Sequence, residues 1–113
     1  MHELSITQQV LDTAVAKASE AGASAVKQIN LVIGEMSSVV DDSVQFYFDF
    51  LSQDSIASGA QLSFQRIKTR VRCRRCGHEF NPAADNWACP QCREFDIEIV
   101  AGKEFYLESV EVE

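Results

Sequence analysis

Four cysteines, Cys73, Cys76, Cys89 and Cys92, stand as two Cys-x-x-Cys pairs, CRRC and CPQC, with twelve residues between the pairs. In a reducing compartment disulfides are rare, so paired cysteines point to metal or redox chemistry. Each pair can close a tight turn that aims two sulfurs at one centre, and two such turns supply the four soft ligands that zinc prefers. Iron fits the same four sulfurs and would give an electron-transfer site. A closed four-thiolate shell leaves no position for a substrate, so the expected role of zinc is structural. Gly77 after the first pair and Pro90 inside the second suit turns that direct backbone amides at sulfur. Trp87, Phe80 and Ala88 offer only a small apolar cap, so the metal should supply most of this segment's folding energy. With four thiolates available, His78 is read as exposed or as a neighbour of the ligands, not as a fifth ligand.

The opening residues, MHELS, form a second candidate site. Methionine is normally kept when a residue as large as histidine follows, which leaves a free α-amine on Met1 next to His2. The amine, the His2 backbone nitrogen and the imidazole can close adjacent small rings around one cation, and the Glu3 nitrogen can complete a planar set. Tetragonal nitrogen coordination selects Ni(II) or Cu(II) over zinc, and the Glu3 carboxylate could add a ligand or hold the imidazole. Because the amine and amides must lose protons, binding should weaken as pH falls.

The elements that must carry these sites follow from periodicity. Leu4, Val10, Leu11, Ala14, Val15 and Ala18 recur at helical spacing from Glu3 to about Ala21, and Gly22 stands where a helix ends. QINLVIGEM alternates, with Ile29, Leu31 and Ile33 on one face, as a strand ending near Gly34. Asp42 and Gln45 have the spacing of a capping box ahead of a second helix with Val44, Tyr47, Phe48 and Leu51 inward, and Phe46 and Phe50 widen its expected buried face. SQDSIASGA reads as a connection, QLSFQRIKTRVRC as one strand running into the first cysteine pair, and FDIEIV with FYLESVEVE as a hairpin-like return. The expected fold class is α+β: two helices on a small, mostly antiparallel sheet, with an inserted zinc-ribbon-like four-cysteine module. The domain boundaries expected are 1–70 together with 95–113 for the α+β domain, and 71–94 for the zinc-binding one.

Charge and composition narrow the function. The net charge of -7 repels polyphosphate and suits cations or basic partners. Arg66, Lys68, Arg70, Arg72, Arg74 and Arg75 cluster before and within CRRC, the best feature for a nucleic-acid or protein-binding ribbon. The favoured reading is a solvated or paired face, with Glu108, Glu111 and Glu113 of the last strand as candidate partners. No apolar run approaches the roughly 20 residues of a membrane span, and the N-terminus lacks a basic region followed by a long apolar run, so a cytoplasmic protein is expected. Two histidines far apart and no Gly-rich phosphate loop leave no catalytic constellation, so no enzyme is expected.

Taken together, MHELS, the V-I-G-E-M strand end at Gly34 and Glu35, an acid-initiated second helix and two Cys-x-x-Cys pairs resemble the HypA/HybF family of hydrogenase maturation nickel chaperones over essentially the whole chain. The resemblance implies a nickel-binding α+β domain with Met1, His2 and Glu3 at the nickel end, and a structural zinc domain with Cys73, Cys76, Cys89 and Cys92 as ligands. Asp41, ahead of the second helix, and His78 are further candidate nickel ligands on the same ground. It also implies delivery of Ni2+ to the hydrogenase large-subunit precursor together with the nickel-insertion GTPase of the maturation system. No nucleic acid, no membrane and a monomer or weak homodimer complete the expectation. The preference for nickel over copper rests on this resemblance.

Overall fold

The structure, a computed structural model, describes residues 2–83 and 85–113, and of His2 the backbone only. Its elements in chain order are α1 (His2–Glu20), β1 (Val26–Gly34), α2 (Asp41–Leu51), β2 (Gln61–Ile67), β3 (Arg70–Cys73), β4 (Glu79–Phe80), β5 (Ile97–Ala101) and β6 (Phe105–Val112). They form two three-stranded sheets, ordered β2-β1-β6 and β4-β3-β5. The α+β class is as expected from the sequence.

Helix α1 buries Val10, Leu11, Ala14 and Ala18. It ends where Gly22 takes a left-handed φ of 71°, which lets the Ala23 amide reach back to the Ala18 carbonyl at 3.0 Å. In β1, Ile29, Leu31, Val32 and Ile33 are all buried, so the strand alternates at first and is then covered on both faces. The Val26 amide bonds the Ile56 carbonyl and the Glu35 amide bonds the Ile67 carbonyl, so β1 and β2 run in the same direction, joined through α2. The Gly34 amide bonds Glu104 and the Glu113 amide bonds Ala25, so β6 returns antiparallel on the other edge of β1.

Helix α2 buries Val44 and Phe48 completely. Two expectations for it are corrected. The N-cap is Val40 with no side-chain cap; the Asp42 amide donates to Asp41 Oδ1 at 2.9 Å, and Gln45 is drawn instead to Asp49, donating to Oδ1 at 2.8 Å. Phe46 and Phe50 are 70% and 68% exposed, on the side of the helix away from Val44 and Phe48.

The long basic strand is two strands, broken at Lys68 and Thr69, because the Thr69 hydroxyl and amide both donate to Glu35 Oε1 and turn the chain there. The expected hairpin return is also corrected: β5 pairs with β3, from Arg70↔Ala101 to Cys73↔Ile97, while β6 joins the other sheet. Gly102, at φ 117°, makes the break between β5 and β6, and its amide donates to Glu104 Oε1 at 2.8 Å.

The chain divides into two compact units. One comprises Met1–Val32, Ser38–Gln65 and Phe105–Glu113, and the other Ile33–Ser37 with Arg66–Glu104. The cysteine-bearing unit is held by the β3–β5 ladder, which extends to Ala101, and by the segment from Gly34 to Met36, which bonds Ile67, Gly102 and Glu104.

Candidate metal centre

Sequence alternation in Arg70-Val71-Arg72-Cys73 puts Val71 and Cys73 on one face of β3 and the arginines on the other. Val71 and Cys73 are fully buried, and Val71, absent from the expected apolar cap, is the buried apolar residue on the same face of β3 as Cys73. The strand alternation was the signal that could have found it.

Two turns with the same backbone pattern hold the sulfurs. In the first, the Cys73 amide bonds the His78 carbonyl at 2.9 Å and the Gly77 amide bonds the Cys73 carbonyl at 2.8 Å. In the second, the Cys89 amide bonds the Glu94 carbonyl at 2.9 Å and the Arg93 amide bonds the Cys89 carbonyl at 2.7 Å. Gly77 and Arg93 are matched positions, both left-handed at φ 80° and 64°. Arginine there carries a steric cost that glycine avoids.

The four sulfurs lie within 4.8 Å of one another, with Cys73 and Cys92 at 3.4 Å and Cys76 and Cys89 at 3.6 Å. A disulfide would need about 2.05 Å. A tetrahedral zinc with bonds of about 2.3 Å has sulfur–sulfur edges of about 3.8 Å. The donor set therefore fits one four-coordinate thiophilic ion, with Cys73 and Cys89 buried and Cys76 and Cys92 at the surface.

Backbone amides aimed at sulfur set the acidities. The Cys76 amide, opposed by burial and helped by the Arg75 amide, lowers the Cys73 thiol. Burial raises Cys89, but the amides of Cys92 and Gln91 outweigh it and bring the thiol down to about 7. The Glu94 amide lowers Cys92, yet burial and the neighbouring Cys73, Cys89 and Cys76 sulfurs push it up to about 12. The His78 amide lowers Cys76, but burial and the Cys89 and Cys73 sulfurs raise it overall. The crowded sulfurs hold protons against one another, and a dication removes that conflict.

His78 lies outside this cluster, with its ring stacked on Phe80 at 5.9 Å between centroids. Met1 and the His2 side chain lie outside the described residues, so the proposed nickel end is represented by Glu3 and the backbone of His2, both in the first turn of α1.

The basic strand is paired, as favoured, though with different acids. Arg70 meets Glu79 at 2.8 Å, Arg72 meets Glu98 at 2.9 Å, and Arg74 meets Asp96 at 3.1 Å. Arg72 and Arg74 also approach Glu79 and Glu98 at 3.7 and 3.8 Å. The partners come from β4, β5 and the residue just before β5, because β3 is the central strand of its own sheet. Glu111, one of the acids expected there, instead accepts from Asn30, and Glu113 pairs with Lys27.

Residues 1–112 match the family model described as hydrogenase/urease nickel incorporation, metallochaperone, hypA. The chain belongs to the HypA family. A hydrogenase maturation factor HypA from Dehalococcoides mccartyi strain CBDB1 is 54% identical over 113 residues, covering 100% of this chain and 95% of its own. The corresponding factor of Caldanaerobacter subterraneus is 40% identical, with both chains covered fully. Among solved structures, a HypA solution structure superposes with a TM-score of 0.77 at 26% identity, covering 99% of this chain and 96% of its own. The nickel metallochaperone HypA from Helicobacter pylori, at 24% identity and a TM-score of 0.66, shares the fold. HypA-family membership makes this chain a nickel metallochaperone of hydrogenase maturation, a maturation factor and not an enzyme. No helix among the described residues is long and apolar enough to cross a membrane.

Two features of this HypA-family chain were missed from the sequence. Glu35 of the V-I-G-E-M stretch anchors Thr69, with Oε1 accepting the hydroxyl proton at 2.7 Å. Asn81 donates to the Thr69 carbonyl at 2.8 Å. Neither pairing has a local sequence signal, since the partners stand 34 and 12 positions apart.

Proposed function

We propose that Cys73, Cys76, Cys89 and Cys92 hold one structural Zn2+, and that Met1, His2 and Glu3 carry Ni2+ as cargo for the hydrogenase large-subunit precursor. Transfer proceeds with the nickel-insertion GTPase, in the cytoplasm. The observation that carries this reading is the closure of the four-sulfur cluster. Its donors, all within 4.8 Å, fill a tetrahedron and leave no open position for a metal that must be handed on. A nickel carrier therefore needs a second donor set.

The start of α1 supports the N-terminal one. The first amides of a helix have no partner inside it, so nitrogens of His2 and Glu3 can lose protons to a metal without breaking a helical bond. The Glu3 carbonyl accepts the Thr7 hydroxyl, which ties the first turn down next to the chelate. Once bound, nickel can leave by exchange of a few terminal ligands instead of the opening of a cage. Zinc, when bound, would offset part of the charge of the four thiolates and brace the two turns, while the Cys76 and Arg75 amides lower the Cys73 thiol and the Cys92 and Gln91 amides lower Cys89.

The test is metal analysis and Ni(II) titration of the untagged protein and of His2→Ala. One zinc per chain in both, with one nickel site in the first and none in the second, supports the assignment. Iron in the cysteine site, or nickel binding that survives His2→Ala, overturns its corresponding half.

A further inference from the structure

Helix α2 has two faces of different kinds. Val44 and Phe48 are fully buried, while Phe46 and Phe50, four residues apart, share an outer stripe and are 70% and 68% exposed. Leu4 of α1, 41% exposed, joins them along an open groove of about 790 Å³ that Tyr47, Leu51 and Asp49 also line. Exposing two phenylalanines on a helix whose other side is well packed costs solubility and adds nothing to the core. Contiguous apolar patches of this kind mark interaction sites, and aromatic side chains held on a helix give contact area with little entropy to lose. Phe46 is further fixed edge-to-face against Tyr47, with centroids 5.5 Å apart.

We propose that this stripe is a docking surface for an amphipathic helix of a partner protein whose apolar face is flanked by lysine or arginine. Charge selects the flanks. Helix α2 carries Asp41, Asp42 and Asp49 and no basic residue, and Lys17 and Lys27 are the only Lys or Arg residues in the sequence of its compact unit. Asp42 and Asp49 border Phe46 on the helix surface, where an apolar segment with acidic flanks would be repelled. The same argument disfavours a second copy of this chain, which would bring two such acidic rims together. Backbone geometry selects the helix. The groove is lined by residues of α1, of α2 and just after α2, with no open strand edge, so an extended segment would leave its own amides unpaired, whereas a helix brings its hydrogen bonds with it.

The probe is a synthetic peptide with leucine at helical spacing and lysine elsewhere, beside the same composition in strict alternation and a third peptide with glutamate for lysine. Each is titrated into the full-length, metal-loaded chain and followed by amide chemical shifts. The helical lysine peptide should bind with shifts confined to α2 and the first turns of α1. Affinity should fall about tenfold or more in Phe46→Ser/Phe50→Ser and in Asp42→Lys/Asp49→Lys. Both variants replace exposed residues, and unchanged shifts elsewhere verify their fold. Equal binding of the three peptides, equal binding by the variants, or shifts away from α2 overturns the proposal. So does self-association of the unmodified chain that Phe46→Ser/Phe50→Ser abolishes, because the occupant is then a second copy.

Discussion

A β-carbon on Gly34 would stand 2.1 Å from the carbonyl oxygen of Gly102. The two glycines let β1 run against the bend between β5 and β6, where the Met36 amide bonds the Gly102 carbonyl at 2.7 Å and the Gly34 amide bonds the Glu104 carbonyl at 2.7 Å. On Gly102 itself, a β-carbon would meet Thr69 Cα at 2.8 Å, at a φ of 117° that side chains rarely adopt. This junction secures Ile33–Ser37 within the cysteine-bearing unit.

Gly34→Ala and Gly102→Ala should each destabilise the protein by about 3 kcal/mol or more, since the obstacles are backbone atoms that cannot rotate away. Gly59→Ala, at φ 80° with open space around it, should cost only about 1–2 kcal/mol. Chemical denaturation of the three variants measures the difference, and equal losses would contradict the steric account.

Glu35 adds a pH-dependent tie to the same junction. The Thr69 hydroxyl, and then the Thr69 amide, hold its carboxyl below the ordinary value of 4.5, and Lys68 adds to this. A depressed folded value means the stabilisation is complete above about pH 4.5 and is lost as pH falls through the lower folded value. Glu35→Gln should therefore be less stable than the parent at pH 7 and should lose less of its stability on acidification. Melting temperatures from pH 7 to 3 test this, and parallel curves for the two proteins would refute it.

The metal centre makes a proton prediction of its own. With Cys92 up at about 12 and Cys76 raised, zinc must displace protons from these thiols at neutral pH. Below about 7 the Cys89 thiol is protonated as well, so zinc affinity should fall more steeply with pH there than above it. Competition with a chelating dye from pH 5.5 to 8.5 gives the slope. Chelation at pH 7 should abolish order from Arg70 to Ala101 while α1 and α2 keep their helical signal, because the first unit has its own core of Ala14, Ile29, Val44 and Phe48.

Helix α1, strand β1 and the cysteine cluster were legible because each rests on local spacing: apolar residues at three and four, alternation, and paired Cys-x-x-Cys. Long-range competition defeated the rest. Arg66 to Arg75 have the alternation of one strand, and only the capture of Thr69 by Glu35 divides it. Phe46 and Phe50 were expected inside on hydrophobicity alone, but Val44 and Phe48 already fill the inward stripe. The arginines of β3 were recognisable as a paired face, while their partners followed from sheet order, which no local pattern encodes.

The most direct test of the nickel assignment compares Ni(II) titration of the untagged protein with that of the same protein acetylated on its α-amine. Acetylation removes the amine donor beside His2 and leaves every side chain in place. The account predicts one zinc per chain in both, and a nickel site present in the first and lost in the second. Nickel binding unchanged by the acetylation would contradict it and would place the cargo on other residues of the chain.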